Sequence, residues 1–167
     1  AVLKAVRKVY KSSVVIQRCL VHIQRMARIW LTKSPLSLAG LELLKITQVI
    51  HRIETIEQKL YWLRALYDWD NEHRTFIAEK SINPNTGRTW YTHKMVRRVR
   101  HLLISSFQDM FHYLDDPKIP KSTNALESFF GHLKDNLSIH RGLTIENRKN
   151  FIKWYLHLRN QELSKKP

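Results

Sequence analysis

The run Val14-Val15-Ile16-Gln17-Arg18-Cys19, passing directly into Leu20 to Trp30, sets whether the chain is read as all-helical or as part of an α/β fold. Three consecutive β-branched residues predict a short strand of the kind buried in a parallel sheet. Leu20 to Trp30 returns to helical spacing through Ile23, Met26, Ala27 and Trp30. Upstream, Ala1 to Tyr10 puts Val2, Val6 and Val9 on one helical face and Lys4, Arg7 and Lys8 elsewhere, and Ser12 and Ser13 break the pattern. Helix, strand, helix is a piece of an α/β unit. A lone strand leaves its backbone donors and acceptors unpaired. The expectation is therefore a downstream part of a larger α/β protein, or an edge strand completed by a partner chain.

Downstream of Pro35 the periodicities are helical: Leu38 to Ile53, Thr55 to Lys80 and His93 to Leu114. In the last of these, Val96, Val99, Leu103, Phe107, Met110 and Leu114 step by three and four, the signature of one buried stripe. Asn83-Pro84-Asn85-Thr86-Gly87 is a turn cluster in which a small hairpin fits. Asp115-Asp116-Pro117-Lys118-Ile119-Pro120 is a linker no helix crosses. Asn124 to Leu137, with Leu126, Phe129, Phe130, Leu133 and Leu137 inward, and Ile145 to Glu162 complete the helices before the polar tail Ser164 to Pro167. The fold class expected is mainly α. The divisions are 1–33 as partial α/β core, 34–118 as helical insertion and 119–167 as C-terminal core helices.

The 167 residues carry 29 Lys and Arg against 14 Asp and Glu, a net charge of +15. That is too basic for an ordinary enzyme of small metabolites, and it favours a polyanionic partner. A hydrophobic fraction of 43% supplies a proper core and excludes intrinsic disorder. One cysteine excludes a disulfide framework and makes a reducing compartment the default. The longest aliphatic runs, Val14 to Ile16 and Leu102 to Ile104, fall far short of the roughly 20 residues of a membrane span, so a soluble intracellular protein is expected. Residues 1–33 hold 8 basic and no acidic side chains, whereas residues 34–80 hold 6 and 7. The ends are basic and the middle is neutral.

Lys94, Arg97, Arg98 and His101 recur at i, i+3, i+4 and i+7 opposite the apolar stripe, which gives either a solvated face or a row of phosphate contacts. The five tryptophans are core by default, although an exposed one stacks well on an unpaired base. Asp68 with Glu72, and Asp109 with Asp116, read as solvated helix charges. Cys19 and His22 have C-x-x-H spacing, but a structural zinc needs four ligands and no second cysteine exists. Glu127 has two readings. With Asn124 as N-cap it is the third helical residue of a capping arrangement. Alternatively it projects from the core on a face shared with Gly131 and Lys134, where the glycine permits a close approach. No Gly-rich phosphate loop, G-x-S-x-G or H-E-x-x-H occurs.

Gln17-Arg18-Cys19-Leu20-Val21-His22-Ile23-Gln24-Arg25, then Ser122-Thr123-Asn124-Ala125-Leu126-Glu127, then His140-Arg141-Gly142-Leu143 resemble, in this order, the DDE transposases of bacterial insertion sequences, mutator type and relatives. The resemblance runs over nearly the whole chain. It implies a ribonuclease-H-like α/β domain with an all-helical insertion ahead of the last acidic residue, and two Asp and one Glu that bind Mg2+ or Mn2+. Glu127 matches the metal-binding, catalytic Glu. Cys19 and His22 match the C-x-x-H element beside the site, and Asn124 supports it. Both family Asp residues precede C-x-x-H, yet residues 1–33 contain no acidic residue. Two of the three carboxylates are therefore absent from this chain, and cleavage and strand transfer are expected only of the intact protein.

The function expected is DNA transposition. The partners are transposon-end and target DNA, with Lys94, Arg97, Arg98, His101, Lys134, His140 and Arg141 as DNA contacts. A homo-oligomer on DNA in the bacterial cytoplasm, at the nucleoid, and no membrane association complete the expectation. The alternatives are a non-catalytic basic helical DNA-binding protein derived from a transposase, and a membrane-surface or RNA-binding module.

Overall fold

The stripe of Val96, Val99 and Leu103 needs an apolar surface opposite it. In the computed structural model, which describes residues 2–11 and 14–164, that surface is the helix begun at Leu20. The chain is mainly helical: α1 (Val2–Tyr10), α2 (Leu20–Leu31), α3 (Leu38–Gln48), α4 (Ile56–Glu72), α5 (Arg74–Ala78), β1 (Lys80–Ile82), β2 (Thr89–Tyr91), α6 (Lys94–Ser106), α7 (Asn124–Ile139) and α8 (Ile145–Ser164). Residues 1–122 form one compact unit and 123–167 another. Ser12 and Ser13 and the last three residues of the polar tail lie outside the described residues, as do the side chains of Val2 and Lys4.

In the first unit, Leu20, Ile23, Ala27 and Leu31 of α2 share a core with Leu43 and Leu44 of α3, Val99 and Leu103 of α6, and Met110 and Phe111 beyond it. Burying each of these Leu, Ile, Val, Met and Phe side chains contributes about 1.5–3 kcal/mol. Two indoles stitch α4 to α3: Trp62 donates to the Ile46 carbonyl at 2.8 Å and Trp69 to the Ala39 carbonyl at 3.0 Å. Each buries a large ring while satisfying its one polar atom. Ser37 caps α3 by accepting from the Gly40 N–H, and Thr55 caps α4 by accepting from the Gln58 N–H.

Val14 to Cys19 is not a strand, which corrects the expectation of one residual α/β strand. It is a single non-helical stretch bonded by irregular backbone. The Arg18 N–H donates to the Asp109 carbonyl at 2.6 Å and the Leu20 N–H to the Lys121 carbonyl at 3.0 Å. β-branched propensity yields a strand only beside another strand. Among the described residues the one sheet is the hairpin β1–β2, antiparallel with Ser81 opposite Trp90, at the turn cluster. Asn83 Oδ1 accepts from the backbone of Asn85 and Thr86, and Gly87 takes φ +66°, a left-handed conformation that glycine adopts without a Cβ clash.

Three expected helices are shorter than their patterns. Leu38 to Ile53 stops at Gln48 and ends in a 3-10 turn, Thr55 to Lys80 stops at Glu72, and His93 to Leu114 stops at Ser106 and continues as two 3-10 turns. These turns bury Met110, Phe111 and Tyr113 together, which a continuous helix would send to different sides. Asp109 is not a solvated charge: its side chain is 13% exposed and paired with Arg7.

The second unit is the helical hairpin α7–α8, joined by Phe129 against Tyr155 (ring centroids 5.6 Å apart) and by His140 against Phe151 (5.5 Å). Of the stripe expected to point inward, Leu133 is buried and Phe129 and Leu137 half-buried, while Leu126 and Phe130 are exposed.

Candidate nucleic-acid interface

Helix α6 contains Lys94, Arg97, Arg98, Arg100 and His101 and no acidic residue. Burial of Val96, Val99 and Leu103 turns the opposite face outward, so Lys94, Arg98 and His101 are exposed and Arg97 is half-buried. The hairpin sets Trp90 and Tyr91, each 39% exposed, beside this face. Together the two elements form a groove of about 600 Å3 that all four expected contacts, Lys94, Arg97, Arg98 and His101, line with Trp90 and Tyr91. Met95 and Arg100 complete its wall.

Aromatic faces hold the cations of the groove in place. The Arg97 guanidinium lies 3.4 Å from the centroid of the Tyr91 ring and donates to the Ile77 carbonyl at 2.8 Å. Lys80 Nζ approaches the same ring to 5.4 Å, and the Arg98 guanidinium sits 4.3 Å from the Trp30 ring. Such contacts stabilise by about 0.5–1 kcal/mol at exposed sites, and they order long side chains before a ligand arrives. Behind the groove, Arg100 grips Asp70 with both arms of its guanidinium, one at 2.8 Å. That hydrogen bond holds the Asp70 carboxyl below its ordinary value and raises the Arg100 pKa. Arg100 is thereby neutralised and braces α6 against α4, whereas Lys94, Arg98 and His101 are exposed residues. Cations for phosphate oxygens next to aromatic faces for bases are the two components of a nucleic-acid surface.

Glu127 lies in the first turn of α7, exposed. The N-cap is Thr123, not Asn124, because the Glu127 N–H donates to the Thr123 carbonyl at 2.8 Å and Asn124 is already helical. Glu127 is then the fourth helical residue, and its Oε1 accepts from the Thr123 hydroxyl at 2.9 Å. A Cβ on Gly131 would meet nothing within 4 Å. Lys134, His140 and Arg141 are exposed on the helical hairpin, Arg141 donating to the Ser138 carbonyl. Cys19 is the half-buried N-cap of α2, and His22 is exposed one turn on.

A pair of Mg2+ or Mn2+ ions needs several carboxylates converging from different elements. Among the described residues, the one group of three or more His, Cys, Asp or Glu ligand atoms drawn together is Glu42, Glu72 and His73, to which Glu127 does not belong. Glu127 by itself is an insufficient donor set for such a pair.

Sequence reasoning located the basic stripe but not the aromatic wall. Trp62 and Trp69 are core, as the default has it, whereas Trp90 and Trp154 are exposed. The signal for Trp90 and Tyr91 is Thr89-Trp90-Tyr91, a β-favouring triplet just after a Gly-terminated turn. No protein-family model, no curated protein and no solved structure matches this chain.

Proposed function

We propose that the chain binds DNA along the α6 groove and is the C-terminal part of the catalytic domain of a DDE transposase. The observation that carries the DNA-binding reading is the gathering of Lys94, Arg97, Arg98 and His101 with Trp90 and Tyr91 in one groove. In a chain of net charge +15, that groove offers phosphate-binding cations held against rings.

The transposase reading rests on the order C-x-x-H, T-N-A-L-E, H-R-G, and one backbone contact supports it. The bond from the Leu20 N–H to the Lys121 carbonyl returns the chain to the C-x-x-H helix after about a hundred residues, six positions before Glu127. That closure is what a helical insertion between two parts of a ribonuclease-H-like core requires. The exposed Leu126 and Phe130 of α7 also suit a hairpin that belongs to a larger domain. In this reading Glu127 is one carboxylate of a cation site completed by the intact enzyme. That enzyme acts as a homo-oligomer on transposon ends in the bacterial cytoplasm. No helix among the described residues is long and apolar enough to cross a membrane.

Glu127→Gln in the intact protein tests the assignment. Gln keeps the acceptor for the Thr123 hydroxyl and loses the charge, so strand transfer should collapse while DNA affinity and thermal stability hold. If Glu127 is only a helix-start residue, the variant loses on the order of 1 kcal/mol of stability and stays active, and the transposase assignment falls.

A further inference from the structure

Outside the groove, three potential metal ligands converge from two helices. Glu42 projects from the middle of α3, Glu72 ends α4, and His73 is the C-cap of α4. One ligand atom from each lies within 4.8 Å of the other two. The geometry points to a binding site for a divalent first-row transition metal, with zinc as the representative ion, that clamps α3 to the end of α4.

The imidazole is positioned as a ligand must be. Its side chain is 11% exposed, it lies between Trp69 (centroids 5.6 Å apart) and Phe76 (6.5 Å), and its Nε2 is 2.6 Å from Glu42 Oε2. The backbone beneath it is fixed, because the Trp69 indole donates to the Ala39 carbonyl and so locks α4 onto α3 one turn from both glutamates. A His–Glu hydrogen bond accounts for two of the three groups. It does not account for Glu72, whose carboxylate is brought close to that of Glu42. Two carboxylates and one imidazole carry a net negative charge whether or not His73 is protonated, and a divalent cation removes that repulsion.

Donor chemistry selects the ion. An imidazole nitrogen with carboxylate oxygens suits zinc and its neighbours, whereas Mg2+ and Ca2+ prefer oxygen alone. Zinc bonds of about 2.0–2.2 Å at tetrahedral angles separate ligand atoms by about 3.4 Å. His73 Nε2 and Glu42 Oε2, 2.6 Å apart, would spread by about 0.8 Å to reach that spacing, and the exposed Glu72 side chain is free to adjust to it. Three protein ligands and one water then complete four-coordination. Zinc takes neutral imidazole, so the metal displaces the Nε2 proton, which leaves to solvent from an imidazolium or moves to Nδ1 by tautomer exchange from the neutral ring.

The experiment is calorimetric titration of the chelator-stripped full chain with zinc chloride and, in parallel, magnesium chloride, with thermal melts of the same samples. The expected result is one tight zinc site per chain, a higher melting temperature with zinc and no comparable magnesium binding. Loss of an outer-shell partner alone costs about 10–100-fold in affinity, so Glu72→Gln and Glu42→Gln should each weaken zinc binding by at least about tenfold. Glu72 is exposed, so its variant folds and the comparison stays valid even if Glu42→Gln is unstable. Wild-type zinc affinity in the folded Glu72→Gln variant would overturn the site. So would absence of tight zinc binding in the wild type, or its loss in Cys19→Ser with Glu72→Gln unaffected, which would move the metal to C-x-x-H.

Discussion

Replacing Lys94 and Arg98 together by alanine removes two exposed cations from the groove and leaves the core of α6 intact, since Val96, Val99 and Leu103 face the other way. If each contacts one phosphate of a duplex, each contributes about 0.9 to the slope of log K against log salt, and the double variant should lose about 1.8. At about 0.1 M salt that is about eightfold per contact and about sixtyfold for the pair, or about 2.5 kcal/mol. The deficit should shrink as salt rises and vanish on extrapolation to about 1 M, where counterion release contributes nothing. Arg98 also gives up its contact with Trp30, a stability loss of about 0.5–1 kcal/mol that a melt registers separately. The assay is fluorescence anisotropy with a labelled duplex of about 20 base pairs across roughly 50 to 250 mM salt. An unchanged slope would refute the reasoning, whether affinity is retained or falls equally at every salt concentration.

Gly40→Ala should destabilise by about 1–3 kcal/mol despite the better helix former, because its Cβ would lie 2.9 Å from Pro35 Cβ and 3.0 Å from Ser37 Oγ. Gly131→Ala, with open space around it, should gain up to about 1 kcal/mol, and urea unfolding reads both. Thr32 ends α2 at φ +68°, ψ −178°, which a β-branched residue adopts only under strain, so Thr32→Gly should raise stability by about 1 kcal/mol, and a lower melting temperature would count against it. The bond to Arg100 depresses the Asp70 pKa, so its contribution to stability is complete above the ordinary carboxylate value near 4 and is lost as pH falls through the lowered one. The melting-temperature gap between wild type and Asp70→Asn should therefore hold at neutral pH and close on acidification.

The helices were legible because apolar residues at steps of three and four leave little choice of face, and α2, α7 and α8 begin and end within a few residues of their patterns. What the pattern lacks is the identity of the opposing surface. Val14 to Cys19 has the composition of a strand, but strand pairing depends on a neighbour that local sequence does not encode. The turn at Asn83 to Gly87 announced a reversal through its own chemistry, while three-residue strands are too short to show alternation. The basic stripe of α6 was visible for the same reason as the apolar one. Trp90 and Tyr91 joined it through tertiary packing, as did Glu42 with His73, which are 31 residues apart. Asn124 missed the cap by one position because Thr123, also a capping residue type, precedes it.

The most direct test of the account locates the DNA itself. An oligonucleotide carrying 5-iododeoxyuridine is bound to the 167-residue chain, irradiated, and the linked peptides are sequenced by mass spectrometry. Photo-activated bases attach to aromatic side chains in contact with them, so the cross-links should fall on Trp90 or Tyr91 and disappear in the Lys94→Ala, Arg98→Ala double variant. Cross-links confined to other aromatic residues, such as the exposed Trp154 of α8, would place the DNA elsewhere and contradict the groove.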